Sequence, residues 1–241
     1  MKKKILITGG GGYVGTLLVP ELLKRNFNII VVDTFWFGNF LPKNKNLKIL
    51  KKNILDINKN DLKNVYCIIH LASIANDNSA DLDPKYAWET SCLGTKILCD
   101  YAKENKVKKF IYASSGSVYG IKKEKKVTEK LSCKPVSVYN KTKIIAEKVI
   151  ESYSSYFETI IVRPSTLYGY SPRMRLDITI NILTLQAFKN NEITVFGGKQ
   201  YRPYLHINDM VNFYVYCLQK KIKSGTYNLS HGNMSLKQTA E

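Results

Sequence analysis

Apolar runs alternate with amphipathic stretches through most of the chain. KILIT (4–8) is apolar at consecutive positions and predicts a strand buried on both faces. YVGTLLVPELLKR (13–25) has its leucines and valines at helical spacing and predicts a helix. NIIVVD (28–33), LKIL (47–50), VYCIIHLA (65–72), VKKFIYASS (107–115) and TIIVRPS (159–165) predict further strands. Asp83 and Pro84 form a cap and first-turn pair opening a helix to about residue 105. A second long helix is predicted over 138–157. Strands alternating with helices imply parallel pairing with helices on both faces, a doubly wound α/β sheet whose ligands sit at the carboxyl ends of its strands.

After residue 165 the periodicity loosens. A helix is predicted over 176–190, a short strand over 193–197 (ITVFG), and a helix near 208–221, with His206 and Asp209 at its start. This tail suits a small lobe set on the sheet. Ser235 has the features of an N-cap, so the chain is expected to stop one helical turn into an element, as a truncated chain or a fragment would.

Composition first pulls elsewhere. The 241 residues carry a formal net charge of +18, which invites a nucleic-acid or anionic-membrane partner. Separating the charge by residue type weakens that idea. Only five of the 37 basic residues are arginine, and the lysines run beside asparagines, as in PKNKNLKILKKN (42–53). Lys and Asn rising together read as compositional drift, and the stretches 43–52 and 122–126 as solvated loops. Four arginines (Arg163, Arg173, Arg175, Arg202) fall in the later half, where a substrate lobe is expected. The five cysteines are scattered, with no CxxC pair and no Cys/His cluster at metal spacing, so no metal site is expected and reduced thiols in the cytoplasm are. No segment reaches the roughly 18 consecutive apolar residues of a membrane span.

Two constellations carry chemistry. TGGGGYVG (8–15) joins the first strand to the first helix, with Gly9, Gly12 and Gly15 three apart and Tyr13 and Val14 between them. Such a loop brings backbone N–H groups to a pyrophosphate at the positive end of a helix. Asp33 ends the second strand, where a carboxylate accepts hydrogen bonds from an adenosine ribose and repels a 2′-phosphate, favouring NAD over NADP. Residues 1–165 are therefore expected to form a dinucleotide-binding domain. Residues 166–241 would form part of a substrate lobe interleaved with it. The second constellation is Y-N-K-T-K. Tyr139 and Lys143, four apart, share one helix face, and an ammonium beside the phenol favours the phenolate. Ser115 ends the fifth strand, placed to hydrogen-bond a reacting oxygen. Phe35, Trp36 and Phe37 follow Asp33 and suit either adenine or core packing.

In this order the motifs resemble the extended short-chain dehydrogenase/reductases of the NAD-dependent epimerase/dehydratase family, from residue 4 to about residue 230. The resemblance implies a Rossmann domain binding NAD. Its contacts would be Gly9, Gly12, Tyr13, Val14, Gly15, Asp33, Asp56, Ile57, Leu71, Ala72, Tyr139 and Lys143, with His70 as a strand-end neighbour. It implies Ser115, Tyr139 and Lys143 as the catalytic set, and a nucleotide-diphosphate sugar as substrate. Ser117, Thr166, Arg173, Arg175 and Arg202 would touch that substrate. In the family's 4,6-dehydratases an Asp–Glu pair follows the hydroxyl residue, whereas Gly116 and Ser117 stand here. The decarboxylating relatives carry Glu, and the 3,5-epimerases Cys, at the position of Ser117. What remains is 4-epimerisation through a transient 4-keto sugar, with a 4-ketoreductase or dehydrogenase as the alternative. A dinucleotide-sensing or RNA-binding scaffold is the non-enzymatic alternative. Thr166 and Ser91 replace asparagines common in the family. The resemblance further implies a homodimer through the helices near 84–105 and 138–157, and a place in surface-polysaccharide precursor synthesis.

Overall fold

The computed structural model describes residues 3–124 and 126–241. Lys125, within the lysine run 122–126, and the first two residues of the basic start lie outside the described residues. The elements in order are β1 (Lys4–Thr8), α1 (Gly15–Lys24), β2 (Asn28–Asp33), β3 (Leu47–Lys51), β4 (Cys67–His70), α2 (Asp77–Leu82), α3 (Pro84–Trp88), α4 (Gly94–Glu104), β5 (Lys109–Ala113), α5 (Val138–Glu151), β6 (Glu158–Pro164), β7 (Thr166–Tyr168), α6 (Thr179–Asn190), β8 (Tyr201–His206), α7 (Ile207–Gln219), β9 (Gly225–Leu229), β10 (Gly232–Ser235) and α8 (Leu236–Ala240).

Seven parallel strands form the main sheet in the order β3-β2-β1-β4-β5-β6-β9. The order reverses between β1 and β4, which opens a crevice at the carboxyl ends of those strands. Strand residues alternate between two cores. Ile5, Ile7, Val31, Ile69 and Val162 face one layer, where Leu18 and Leu22 of α1 meet Met210 and Tyr214 of α7. Leu6, Ile30, Ile68 and Ile161 face the other, against Leu98 and Ala102 of α4 and Ala146 and Ile150 of α5. Each fully buried Leu or Ile contributes about 1.5–3 kcal/mol, so the continuously apolar strands are explained by burial on both sides.

The helix opened by Asp83 and Pro84 runs as expected. Asp83 caps it by accepting from the Tyr86 N–H at 2.9 Å, and a π-helical turn at Glu89–Leu93 divides it into α3 and α4. The helix over 138–157 ends at Glu151, and turns fill 152–156.

The strand predicted over 193–197 does not form. Gly197 and Gly198 take positive φ (81° and 65°) and turn the chain before it meets a partner, and Phe196 stands exposed. The ladder begins at β8 instead, which pairs with β7 and β10 in a separate three-stranded sheet. β9 went unforeseen. GTYNL is too polar to signal a strand, and it is held beside β6 by backbone pairing. His206 accepts from the Asn208 N–H at 3.2 Å and caps α7, as its position at a helix start suggested. Ser235 caps α8 in a reciprocal box with Gln238. Among the described residues no helix is long and apolar enough to cross a membrane.

Candidate active site

The loop after β1 closes tightly on its neighbours. Gly9 has φ +71°, and a Cβ there would stand 2.6 Å from the Ala72 nitrogen. A Cβ on Gly15 would stand 2.4 Å from the Gly10 carbonyl oxygen. Both positions therefore need glycine for space, and Gly9 for conformation too. The loop delivers the chain to the N-terminus of α1, with Val14 as its N-cap residue. Asp33, at the end of β2, faces this loop. Its carboxylate accepts from the Gly11 N–H at 2.9 Å and from the Phe35 N–H at 2.7 Å. Leu71 and Ala72 follow β4 and bond back to Thr8, through its carbonyl at 3.0 Å and its hydroxyl at 3.3 Å. Asp56 is exposed at the end of a 3-10 turn, and Ile57 beside it is buried. A close-packed glycine loop, a helix N-terminus and an acidic strand end together fit a dinucleotide.

Phe35 joins the core beneath the loop. Trp36 stacks on Tyr86 with ring centroids 5.7 Å apart, and Phe37 lies under the Arg173 guanidinium at 3.9 Å.

Tyr13 ties the loop to the later half of the chain. Its hydroxyl donates to the Gly169 carbonyl at 2.6 Å and accepts from Asn181 Nδ2 at 3.1 Å. Ser171 adds a bond to the Tyr13 carbonyl at 2.7 Å. Sequence alone missed Ser171 and Asn181, because a lone polar residue in a loop or helix carries no signal of a partner some 160 positions away.

Beyond the carboxyl end of β5, Ser115, Tyr139 and Lys143 meet. Ser115 caps the 3-10 turn Gly116–Tyr119. The Ser115 and Ser117 hydroxyls lie 2.7 Å apart, and Ser117 donates to Asn140 Oδ1. Lys143 is 3% exposed, and its ammonium donates to the Ala113 carbonyl at 2.7 Å and the Ser73 hydroxyl at 3.0 Å. It stands 5.7 Å from the Tyr139 ring centroid. The expected help from an ammonium toward the phenolate is opposed in the folded protein. Burial is the dominant influence and pushes the Tyr139 phenol above its usual value, while hydrogen bonding to Ser115 and the Arg175 charge pull it back. Burial also brings Lys143 down to about 7, against a smaller upward pull from Glu147. His70 is wholly buried between Thr8 and Thr95, and burial, then Lys143, lowers it to about 3. It is a neutral structural imidazole at ordinary pH.

The arginines divide. Arg173 lies over Phe37 and within electrostatic reach of Asp33, which places it toward the loop after β2. Arg175 pairs with Asp177 and donates to the Ala75 carbonyl at 3.4 Å. Arg202, on β8, is exposed and bonds Gln200 at 3.1 Å, and among the described residues no bond joins it to Ser115, Tyr139 or Lys143. Thr166 is half-buried at the start of β7. Arg163 is not a free anion binder. It is 7% exposed and paired with Glu147, so grouping it with the substrate-half arginines was misleading.

A profile of the NAD dependent epimerase/dehydratase family matches residues 5–230. An uncharacterized UDP-glucose epimerase of Bacillus subtilis (strain 168) is 35% identical over 227 residues, covering 86% of this chain and 70% of that protein. A dTDP-D-glucose 4,6-dehydratase of Dictyostelium discoideum is 33% identical over 258 residues, covering 94% of this chain and 58% of that protein. The crystal structure of a UDP-glucuronic acid 4-epimerase from Bacillus cereus, in complex with UDP-glucuronic acid and NAD, is similar at a TM-score of 0.88 and 28% identity. The similarity covers 97% of this chain and 79% of that one.

Proposed function

The chain belongs to the NAD dependent epimerase/dehydratase family, and from that premise we propose that it is an NAD-dependent nucleotide-sugar epimerase acting at sugar carbon 4 through a transient ketone. The observation that carries this reading is the meeting of Ser115, Tyr139 and Lys143 beyond β5, beside Gly116 and Ser117. Those two residues offer no carboxyl group for expelling water, which favours epimerisation over the dehydratase chemistry of the Dictyostelium relative.

NAD, when bound, supplies a hydride acceptor that later returns the hydride to the opposite face of the ketone. Tyr139 takes the proton of the sugar 4-hydroxyl and gives it back as the alcohol re-forms. Ser115 steadies that oxygen by hydrogen bonding. Lys143 stands beside the phenol and would hold the nicotinamide ribose when NAD is bound, and as an ammonium its charge would lower the cost of forming phenolate. Gly9, Gly12, Gly15, Tyr13, Val14 and Asp33 hold the pyrophosphate and adenosine, with Asp56, Ile57, Leu71 and Ala72 along the cofactor's edge. Ser117, Thr166, Arg173, Arg175 and Arg202 are assigned to the nucleotide sugar. Residues 1–165 are assigned to the cofactor domain and 166–241 to part of the substrate lobe. The return of α7 and β9 to the main sheet supports the interleaving of the two. Five free cysteines suit the reducing cytoplasm, and exposed Leu93 and Ile145 near α4 and on α5 suit a homodimer contact.

The test is a panel of UDP-, GDP-, CDP- and dTDP-sugars followed by NMR and mass spectrometry. The expected product has the mass of the substrate and inverted configuration at carbon 4. A product lighter by one water overturns the assignment. Stoichiometric release of reduced cofactor would instead identify a dehydrogenase, and stoichiometric consumption of reduced cofactor a ketoreductase.

A further inference from the structure

Helix α5 carries a third buried group that the chemistry above does not use. Tyr139, Lys143 and Glu147 follow one another at intervals of four and share one face of the helix. Glu147 is 0% exposed, and among the described residues its carboxylate bonds Ser114 and Arg163 and not Ser115, Tyr139 or Lys143. Arg163 Nε and a terminal nitrogen of Arg163 grip the carboxylate side-on, at 2.9 and 2.5 Å. The Ser114 hydroxyl donates to the same carboxylate. Arg163 then donates to the Tyr119 hydroxyl at 2.8 Å, and Tyr119 donates to Asn228 Oδ1 at 2.8 Å.

This network has a particular shape. Ser114 immediately precedes Ser115. Tyr119 ends the 3-10 turn that Ser115 caps. Both ends of the segment 114–119 are thus fastened to one buried ion pair, which also binds α5, β6 and β9 together. Burying such a pair costs several kcal/mol per ion before their attraction is counted, and apolar residues of like volume often fill a core as well or better. The arrangement is explained if its task is placement.

We propose that Glu147 is a positioning residue for the reaction: through Ser114 and Arg163 it fixes the strand end that carries Ser115 relative to the helix that carries Tyr139 and Lys143. The proposal rests on the epimerase reading of this site. Glu147 also acts on Lys143 by charge. The groups facing the Lys143 ammonium are Glu147 on its own helix, Cys92 on the π turn, the neutral His70 on β4, and the rings of Tyr112 and Tyr139. Among these Glu147 favours the ammonium most, ahead of Cys92, and Arg163 beside it moderates that effect.

Glu147→Gln removes the charge and keeps the shape. It is expected to lower kcat about 10- to 100-fold with KM changed less than threefold, the scale of a misplaced reacting group. It should also move the Lys143 titration down by about one pH unit, as loss of one anion a helical turn away requires. Because Lys143 titrates near 7, it is resolved from the surface lysines by NMR of 13C-ε-labelled protein, with Lys143→Met giving the assignment. Leaving Arg163 unpaired risks misfolding, so Glu147→Gln/Arg163→Met and Ser114→Ala are measured beside it. A purely structural pair predicts that the double variant regains wild-type kcat, and that result overturns the proposal, as does wild-type kcat in folded Ser114→Ala. Low kcat with retained fold, NAD content and KM supports it. The lysine titration needs no substrate. If the wild type epimerises no sugar, the epimerase reading falls, while a shifted or unshifted Lys143 still decides whether Glu147 acts on the cluster.

Discussion

Asp33 Oδ2 accepts a hydrogen bond from the Gly11 N–H at 2.9 Å, so the carboxylate that ends β2 is bound to the loop that ends β1. Its other oxygen accepts from the Phe35 N–H at 2.7 Å. One residue thereby fixes the floor of the glycine loop, and we propose that its charge also meets the adenosine ribose. Asp33→Ala removes both roles. NAD affinity is expected to fall about 10- to 100-fold, and stability by about 1–2 kcal/mol from the donors left without an acceptor. Calorimetric titration with NAD and urea unfolding measure the two separately. Unchanged NAD affinity would sink the ribose assignment, whatever the stability shows.

Tyr139→Phe keeps the ring beside Lys143 and deletes the oxygen proposed to take the sugar proton. Turnover is expected to fall at least about 100-fold, the scale of losing a general base, with NAD content and nucleotide-sugar binding preserved. Residual activity near wild type would remove Tyr139 from the mechanism and shift attention to the Ser115–Ser117–Asn140 hydroxyl chain.

The elements that sequence revealed are those whose physics is local. Continuous apolar runs gave β1, β2, β4, β5 and β6, because a strand buried on both faces has no polar side to show. The glycine loop and Y-N-K-T-K were legible for the same reason, since each completes its geometry within a few residues. Partnerships across the chain were not. Arg163 falls in the half of the chain that holds most of the arginines, but its donors are filled by Glu147 and Tyr119, partners the sequence does not signal. Asn140 hid beside Tyr139, and its bond from Ser117 depends on how α5 docks against β5. β9 is polar enough to pass for a loop and exists because β6 offers it an edge. The failed strand over 193–197 is the converse, a favourable local pattern that found no edge.

Lys143 is held where its charge is costly. Its folded pKa of about 7 lies below the ordinary 10.5, so between those values the folded state is neutral and the unfolded state charged. The unfolded chain then binds more protons, and stability rises with pH from about 7 toward 10.5. Lys143→Met is expected to flatten that rise and to raise stability at pH 6 by a few kcal/mol in cofactor-stripped protein, while abolishing turnover. Thermal unfolding across pH 6–10 checks this, and an unchanged slope would show that Lys143 is not the group titrating there.

His70 extends the same trend into the acid range. Thr95 Oγ1 donates its one hydrogen to the Ser91 carbonyl at 2.5 Å, so at 2.9 Å it must accept from His70 Nε2–H. The neutral ring then accepts at Nδ1 from the Thr8 hydroxyl, 2.6 Å away, and that hydroxyl in turn accepts from the Ala72 N–H at 3.3 Å. A second proton on this ring would have to reverse the bond with the Thr8 hydroxyl, is opposed by burial, and meets the Lys143 charge. The folded pKa of about 3 lies below the ordinary 6.5, so in that window the unfolded chain again binds more protons. Stability is lost as pH falls from about 6.5 toward 3, by up to about 4 kcal/mol from this group. Carboxylates held low in the fold, such as Asp177 beside Arg175, contribute to the same acid limb. The comparison that isolates the imidazole is urea unfolding of wild type and His70→Gln at several pH values. The variant should be less stable at pH 7, having lost the hydroxyl chain, yet lose less on acidification between pH 6.5 and 4. Parallel pH profiles for the two proteins would mean that the imidazole titrates alike in the folded and unfolded chain, and would refute its lowered folded value.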